Sequence, residues 1–420
     1  MATFEEFYKK VTHAAARGEV ARALEEIETG KFSASELDCL LHPERQPLIW
    51  HLGDCACPPE GAHACIESCP FEAIAPGEGG NVKIDSEKCL GCAVCIDACK
   101  EGRLMASRDI LPALRAVRAA QGKAYALIAP AFLGQFAGGR EVTPGKLRTA
   151  LKKVGFGGMV EVALFADILT LKEAFEFDHN ITREGDFQLT SCCCPMWIAM
   201  IKKVYHELMP HVPGAVSPMI AAGRTIKALF PDAVTVFIGP CLAKKAEAHE
   251  ADLAGAVDYV LTFQEIQEVF DVLEIRPEMC EDSARDHSSY AGRIYARAGG
   301  VSEAVTETVR RISPHRTIAV RAERADGVSA CREMLKRLQN GESGANFFEG
   351  MGCAGGCVGG PKVVLAKEQG AAEVQRYADG AEGRTPMDNP YVVELLRRLG
   401  VDTVEGLLEN TEIFTRNFHA

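Results

Sequence analysis

The stretch Leu189-Thr190-Ser191-Cys192-Cys193-Cys194-Pro195-Met196-Trp197 contains three consecutive cysteines followed by a proline. Adjacent cysteines rarely join in a disulfide, because the bond between them would be strained. Pro195 fits the first turn of a helix, and apolar residues at helical spacing predict a helix over residues 195–209. A cluster of thiols at a strand-to-helix turn indicates a site that holds iron or performs chemistry.

The composition indicates a soluble metalloprotein of a reducing compartment. The chain has 420 residues, of which 47% are hydrophobic and 25% charged, and no apolar run reaches the ~18 residues of a membrane helix. Seventeen cysteines without a secretory leader favour metal ligation over disulfides. We therefore expect a cytoplasmic protein without a membrane partner, and the net charge of −12 argues against a nucleic-acid partner.

Three regions differ in pattern: residues 1–50 are predicted to be helical, residues 51–110 form a cysteine-rich module, and residues 111–420 form a larger body. In this body, short apolar runs alternate with amphipathic helices, which predicts an α/β domain with mostly parallel sheets. The predicted strands are 124–130, 160–165, 187–191, 233–240, 258–263, 317–322 and 346–351.

The cysteine-rich module has the spacing of a ferredoxin with two clusters. Its second run is Cys89-x2-Cys92-x2-Cys95-x3-Cys99, with Lys100 in place of the usual Pro, and its first run is the less regular Cys55-x-Cys57-x7-Cys65-x3-Cys69-Pro70. The fourth cysteine of each run ligates the other cluster in such ferredoxins. We therefore assign one 4Fe–4S cluster to Cys55, Cys57, Cys65 and Cys99, and the other to Cys69, Cys89, Cys92 and Cys95. Two zinc sites are the alternative, since sets of four cysteines also bind zinc.

Four further cysteines follow predicted strands of the larger body. Cys194 follows strand 187–191, Cys241 follows strand 233–240, and Cys353 and Cys357 follow strand 346–351. We expect the three strand ends to meet on one rim of the sheet, where open α/β folds place ligands. Four cysteines there would complete a 4Fe–4S set, and four scattered buried thiols are the alternative. Outside every motif lie Cys39, Cys280 and Cys331, which we interpret as buried thiols.

The segments TSCCCPMW, GPCLAKKAEA and EGMGCAGGCVGGP resemble, in family order, the three signature motifs of the iron-only (FeFe) hydrogenases. The resemblance implies a two-lobed catalytic domain, preceded by the small α+β module with two ferredoxin-like clusters and the N-terminal helical segment. It also implies an H-cluster, a 4Fe–4S cubane joined through a cysteine sulfur to a two-iron unit with CO, cyanide and azadithiolate ligands. The implied cubane ligands are Cys194, Cys241, Cys353 and Cys357, with Cys357 as the bridging one.

The resemblance extends to residues around the two-iron unit. Lys244 resembles the lysine that contacts a cyanide, and Glu247 resembles the acid that pairs with it, whereas the neighbouring Lys245 is interpreted as a surface lysine. Five residues resemble the family's segments that cradle the cyanides and the bridging CO: Ala129, Pro130, Ser217, Pro218 and Met351.

Cys193 resembles the cysteine that relays protons to the open iron, and Glu173 and Glu176 resemble two relay glutamates. The alternative for the glutamates is a solvated acidic face of a helix. Three positions depart from the family: Cys192 replaces a serine, Gly239 replaces a methionine and leaves space, and Pro213 replaces the serine that links the glutamates. This triple-cysteine motif with two ferredoxin-type clusters resembles a divergent subgroup, often called group B.

The resemblance implies the reversible reaction 2H+ + 2e− ⇌ H2, with H2 and protons as substrates. Electrons would pass through the two N-terminal clusters to or from ferredoxin or a similar carrier, and maturation proteins would insert the diiron unit. A hydrogen sensor and an iron–sulfur assembly protein without the diiron unit are the alternatives. Assembly relatives generally lack the relay cysteine, which this chain has as Cys193.

Overall fold

Within a computed structural model, the described residues are 4–19, 33–57, 63–190, 193–283, 285, 287–410 and 412–418. The strands are Ile49–His51 (β1), Ile74–Pro76 (β2), Val82–Ile84 (β3), Leu104–Ala106 (β4), Ala124–Ile128 (β5), Gly158–Glu161 (β6), Gln188–Leu189 (β7), Val234–Gly239 (β8), Tyr259–Thr262 (β9), Ala322–Asp326 (β10) and Phe347–Met351 (β11).

The helices connect these strands and cover the sheets. They are Phe4–Arg17, Ala34–Leu41, Ala64–Glu67, Val94–Ala98, Ile110–Ala119, Pro144–Val154, Val162–Asn180, Pro195–Val204, Pro218–Leu229, Ala243–His249, Phe263–Val272, Tyr290–Ile294, Gly300–Ile312, Val328–Gln339, Lys367–Asp379, Pro390–Arg398 and Val404–Glu409. Among them, no described helix is both long and apolar enough to cross a membrane.

A four-stranded parallel sheet in the order β6-β5-β8-β9 forms the centre of one lobe. Strand β8, one of its two inner strands, is almost entirely buried, as the apolar run of this strand predicts. The predicted strand 160–165 is wrong beyond β6, because a helix begins at Val162. That helix, Val162–Asn180, is buried along most of its length, and a continuous apolar run cannot distinguish a buried helix from a buried strand.

A three-stranded parallel sheet in the order β10-β11-β7 belongs to the second lobe. Strand β11 is buried throughout and pairs with β7 at Phe347–Gln188 and Phe348–Leu189. The predicted strand 317–322 is wrong, because β10 starts only at its last residue, Ala322. Strand β10 lies at the edge of the sheet, is partly exposed and is rich in charged residues, so it lacks the apolar run that marks a buried strand. The two parallel sheets confirm the α/β fold.

The helix after the cysteine triplet starts at Pro195, as predicted, but ends at Val204. A short 3-10 helix over His206–His211 follows and contains Pro210, which has no N–H for continuing an α-helix. Ser191 and Cys192 lie outside the described residues, so the replacement of a serine by Cys192 stays an interpretation of the sequence.

The small module contains two antiparallel strand pairs, β1 with β4 and β2 with β3. Its short helices Ala64–Glu67 and Val94–Ala98 carry Cys65 and Cys95. The N-terminal helix Phe4–Arg17 buries Phe4, Phe7, Tyr8 and Val11 on one face and packs against helices of the larger body. The sequence also predicts a helix cap at Thr3 and a second helix over residues 19–28; apart from Glu19, these residues lie outside the described ones.

Candidate metal centre and proton relay

Four cysteines follow strand ends and lie close together; we call Cys194, Cys241, Cys353 and Cys357 the central cysteine set. Cys194 follows β7 and begins the helix Pro195–Val204, Cys241 follows β8, and the other two follow β11. Because β8 belongs to one sheet and β7 and β11 to the other, the set lies between the two sheets. The prediction of a single sheet rim is therefore wrong, whereas the expected meeting of the strand ends occurs.

The central thiols are half-buried and lie close enough to act on one another electrostatically. Burial raises the pKa of Cys194 to about 12, with a further rise from the charge of Cys193, and the Gly352 N–H donates to its sulfur at 3.3 Å. Burial also raises the pKa of Cys353 and Cys357 strongly, and the neighbouring thiols add to the rise. The raised pKa values disfavour the thiolate form, so the four sulfurs would need a compensating cation to ionise together, and iron in a 4Fe–4S cluster would supply it.

The loop after β11 brings its backbone close to neighbouring residues. Gly355 and Gly356 have φ angles of +86° and +84°, and a Cβ on Gly356 would lie 2.7 Å from the Met351 sulfur. Glycine is the residue that adopts this conformation without strain and lets the backbone approach a ligand closely. In the described part of the chain no three His, Cys, Asp or Glu side chains converge to hold a single ion. A cubane instead binds its cysteines at separate corners.

Lys244 is buried beside the central set. Its Nζ lies 2.6 Å from Glu247 Oε2, and both side chains are almost fully buried. Burial lowers the pKa of Lys244, but the Glu247 carboxylate and the nearby Cys241 and Cys193 outweigh burial and raise it. Lys244 is therefore a fixed cation that can donate a charge-assisted hydrogen bond next to Cys241.

Lys245 is not a surface lysine, so that interpretation is wrong. Only 2% of its surface is exposed, and its Nζ forms ion pairs with Asp109 Oδ1 at 3.2 Å and Glu265 Oε1 at 3.7 Å. The two adjacent lysines thus have different carboxylate partners, and only Lys244 is paired with Glu247. The residues that flank the two lysines in sequence, Ala243 and Ala246, carry no charge and gave no signal of a second buried ion pair.

The predicted cradle residues lie at strand ends and a helix start. Ala129 follows β5 and donates its N–H to the Ile238 carbonyl, and Pro130 has no N–H. Ser217 caps the helix Pro218–Leu229, where its hydroxyl oxygen accepts from the Ile220 N–H at 3.4 Å. A hydroxyl that accepts can still donate its own proton. Met351 ends β11 and is buried.

The space expected at Gly239 is filled. A Cβ on Gly239 would lie 2.6 and 2.8 Å from two ring atoms of Phe237 and 3.1 Å from the Ala129 Cβ. The ring of Phe237, two residues earlier on β8, thus covers the position where the family has a methionine side chain. The prediction of an open space beside the diiron unit is wrong.

We expect Gly239→Met to lower the free energy of unfolding by about 1–3 kcal/mol, because the new side chain must displace the Phe237 ring. Chemical denaturation of Gly239→Met, Phe237→Ala and the double variant measures the coupling between the two positions. The double variant should be more stable than the sum of the single changes predicts. Strictly additive losses would contradict the contact.

The two predicted relay glutamates lie on the buried helix Val162–Asn180, so the solvated acidic face is wrong. Glu173 is 1% exposed, and Glu176 Oε1 lies 2.5 Å from Lys172 Nζ. Lys172 is equally buried and also donates to the Leu408 carbonyl at 3.2 Å. Burial raises the pKa of Glu176 although Lys172 opposes it, and its Oε2 has no hydrogen-bond partner among the described residues. Sequence reasoning missed Lys172. The only signal for it is that a charged side chain occurs within a largely apolar helix.

In the small module, the cysteines separate into two groups. Cys55, Cys57, Cys65 and Cys99, the outer cysteine set, affect one another electrostatically. Cys69, Cys89, Cys92 and Cys95, the inner cysteine set, do the same. Each group contains the four cysteines of one predicted cluster. All sixteen described cysteines are free thiols, and Cys39, Cys280 and Cys331 are buried as predicted.

The inner set adjoins the central set. Gly91, between Cys89 and Cys92, has a φ of +68°, and a Cβ on it would lie 3.2 Å from the Ala243 nitrogen and 3.3 Å from the Leu242 carbonyl carbon. Leu242 and Ala243 directly follow Cys241. The charge of Cys92 also contributes to the raised pKa of Cys353, after burial and the central thiols. The two groups of thiols thus meet across a backbone contact.

Two lobes that meet at four half-buried thiols, joined to an eight-cysteine module, are the architecture of a hydrogenase-like iron–sulfur protein. A family model described as iron only hydrogenase large subunit, C-terminal domain, matches residues 122–361. The chain therefore belongs to the iron-only hydrogenase family.

Relatives of known name are distant. Iron hydrogenase 1 of Clostridium pasteurianum is 28% identical over 262 residues, which cover 53% of this chain and 46% of that protein. The NADP-reducing hydrogenase subunit HndD of Solidesulfovibrio fructosivorans is 26% identical over 369 residues, covering 74% and 63%. The match thus spans less than two thirds of either relative.

The chain is also similar to a solved hydrogenase structure and to a relative that is not named a hydrogenase. The solved structure of the FeFe-hydrogenase HydA(deltaEFG) superposes with a TM-score of 0.61 at 21% identity, covering 74% of this chain and 98% of that one. The cytosolic Fe–S cluster assembly factor NAR1 of Eremothecium gossypii is 24% identical over 266 residues, 59% of each protein. The relatives thus include both hydrogenases and an assembly factor.

Proposed function

We propose that the protein is a hydrogenase that interconverts protons, electrons and H2 at an H-cluster held by the central cysteine set. The observation that carries this proposal is the surroundings of Cys357, the proposed bridging ligand. Burial is the main influence on its pKa, and the charges of Cys193 and Lys244 also act on it. An ionisable thiol and a buried cation therefore lie beside the cysteine to which the diiron unit would attach.

The H-cluster, when bound, supplies the iron at which protons and electrons combine. Lys244 would donate to a cyanide ligand while Glu247 holds its ammonium in place at 2.6 Å. The Ser217 hydroxyl is suited to a second cyanide, and Ala129, Pro130, Pro218 and Met351 would exclude water by packing around the diiron unit. These residues hold the ligand sphere rather than exchange protons.

Cys193 would hold the proton nearest to the reacting iron, because a thiol is a side chain that can both donate and accept a proton. Glu173 and Glu176 would carry protons from solvent towards it. The Lys172–Glu176 pair at 2.5 Å adds a buried ammonium beside one of the two glutamates, and Pro213, which replaces the linking serine, supplies no hydroxyl. The path therefore differs from that of the family, and Lys172 or water must connect its parts.

Electrons would pass between ferredoxin or a similar carrier and the central set through the outer and then the inner cysteine set, each holding a 4Fe–4S cluster. The contact of Gly91 with Leu242 and Ala243 supports the inner set as the direct donor. We propose residues 51–110 as the electron-transfer domain and 111–420 as the catalytic domain, with the helical segment 1–50 before them. Maturation proteins in the cytoplasm would insert the diiron unit.

An assembly protein without the diiron unit is the second candidate, favoured by the similarity to NAR1. A hydrogen sensor would share the site of the hydrogenase and differ in turnover. Cys193 and the buried Lys244 argue for the enzyme, because an assembly protein has no need for a proton-carrying thiol beside a cationic donor.

Iron analysis and infrared spectroscopy test the proposal. Before maturation we expect about twelve iron atoms per chain, four for each of three cubanes. After exposure to a diiron-inserting maturation system, infrared bands of metal-bound CO and cyanide should appear, together with H2 evolution. Twelve irons without these bands would favour the assembly protein, and about eight irons would remove one assigned cluster.

A further inference from the structure

Donor groups surround the outer cysteine set. His51 Nε2 lies 3.1 Å from Cys55 Sγ, and the Arg103 backbone N–H donates to Cys99 Sγ at 3.4 Å. A thiolate bound to iron carries no proton, so the hydrogen in the first contact must belong to the imidazole. His51 is therefore a side-chain donor to one of the proposed outer ligands.

Two further donors in the same place are buried without a partner. Arg103 Nε and His63 Nδ1 have no hydrogen-bond partner among the described residues. His63 immediately precedes the helix Ala64–Glu67, which carries Cys65, and Arg103 lies close enough to Cys55 to oppose the rise in pKa that burial causes. Buried polar groups without partners are costly, so an acceptor is expected here. The sulfurs of a bound cluster would be such acceptors.

The inner cysteine set has different surroundings. Burial raises the pKa of Cys89 to about 11 and that of Cys95 to about 12, and neighbouring thiols add to the rise. The cation that acts on Cys89 is Lys203, whose ammonium donates to the Glu87 carbonyl. Each set has one buried and three partly exposed cysteines, so the sets differ mainly in their donors. The inner set depends on backbone N–H donors such as that of Ala73, which donates to Cys69 Sγ at 3.3 Å.

We propose that the outer cluster has a higher reduction potential than the inner cluster because His51, Arg103 and His63 stabilise its reduced form. Reduction adds one electron and one negative charge to a cluster, and no bond forms or breaks. Hydrogen bonds to the sulfurs and nearby positive charge favour the added charge, whereas burial opposes it. This inference rests on the proposed function, which assigns a 4Fe–4S cluster to each set.

The consequence is a direction for the electron relay. An electron released at the central set passes from the inner cluster to the outer cluster, which has the higher reduction potential, and from there to the carrier. In the opposite direction it must climb to the inner cluster before it reaches the central set. The arrangement therefore favours H2 oxidation over H2 production when the carrier is present in equal oxidised and reduced amounts.

Potentiometric titration of the full-length protein before diiron insertion, followed by EPR, tests the order. The variant Cys57→Ser should alter one EPR signal, which identifies that signal as belonging to the outer cluster. In the wild type, this signal should appear first as the potential falls. His51→Phe keeps a ring but removes the donor, and we expect it to lower the ratio of reduced to oxidised outer cluster about tenfold at a fixed potential, equivalent to about 59 mV.

Matched variants separate the effect from general damage. Arg103→Met should also lower the outer potential, whereas His206→Phe, at a side chain that is 80% exposed, should leave both clusters unchanged. Simultaneous reduction, an inner cluster that is reduced first, or an unshifted His51→Phe would overturn the inference. If the isolated wild type lacks the iron for both clusters, the proposed function itself fails, and this is distinguishable from two clusters of equal potential.

Discussion

Replacing Cys193 with serine is expected to reduce H2 turnover about 100-fold or more while the infrared bands of the matured centre remain. Thiols in general give up a proton far more readily than a serine hydroxyl of nearly the same size. Cys193 acts electrostatically on both Cys194 and Cys357, so it lies at the centre without being one of the four assigned ligands. Turnover and infrared spectra of the same preparation measure the two effects separately.

Cys331→Ser is the matched control for this variant. Cys331 is also close to Cys194, but it is fully buried, and its thiol points at the Met351 carbonyl at 3.4 Å. The Cys331→Ser substitution should leave turnover within a few-fold of the wild type. If Cys193→Ser retained near-normal turnover, the proton would have to reach the iron by another residue. Lost infrared bands would instead make Cys193 part of the binding site.

The placement of the central thiols was predictable because strand ends are local features of the sequence. Runs such as residues 233–240 are apolar over the length of one strand, and each central cysteine follows its strand within six residues. The sheet to which a strand belongs depends on long-range pairing, which periodicity does not contain. For this reason the sequence predicts that Cys241 and Cys353 meet, but not that they belong to different sheets.

Side-chain partners were less predictable than backbone positions. Lys172 and Lys245 are buried because carboxylates from the same helix or from distant segments neutralise them. A lysine in a sequence is by default exposed, and only the folded structure reveals its partner. The substitution of Gly239 likewise suggested an empty space, because the sequence does not show that the ring of Phe237 turns over it.

Replacing Lys244 with methionine is expected to remove the proposed cyanide donor and to lower turnover about 100-fold or more. The change also leaves Glu247 as a buried charge without its partner, which costs about 3–5 kcal/mol of stability. The double variant Lys244→Met, Glu247→Met removes both charges and should recover much of that stability without recovering turnover. Infrared spectra should show shifted cyanide bands in both variants, because the donor is absent from both.

The adjacent Lys245 is an unusually close control, since it shares the helix, the burial and the ion pairing of Lys244. Lys245→Met should destabilise the fold by a similar amount, because Asp109 and Glu265 lose their cation. It should leave the cyanide bands in place, because its carboxylate partners do not include Glu247. Equal band shifts in the two variants would mean that the helix Ala243–His249 acts through its stability alone. Bands that shift only in Lys244→Met would assign the donor to one side of that helix, next to Cys241, and would separate a bound diiron unit from a cubane-only centre.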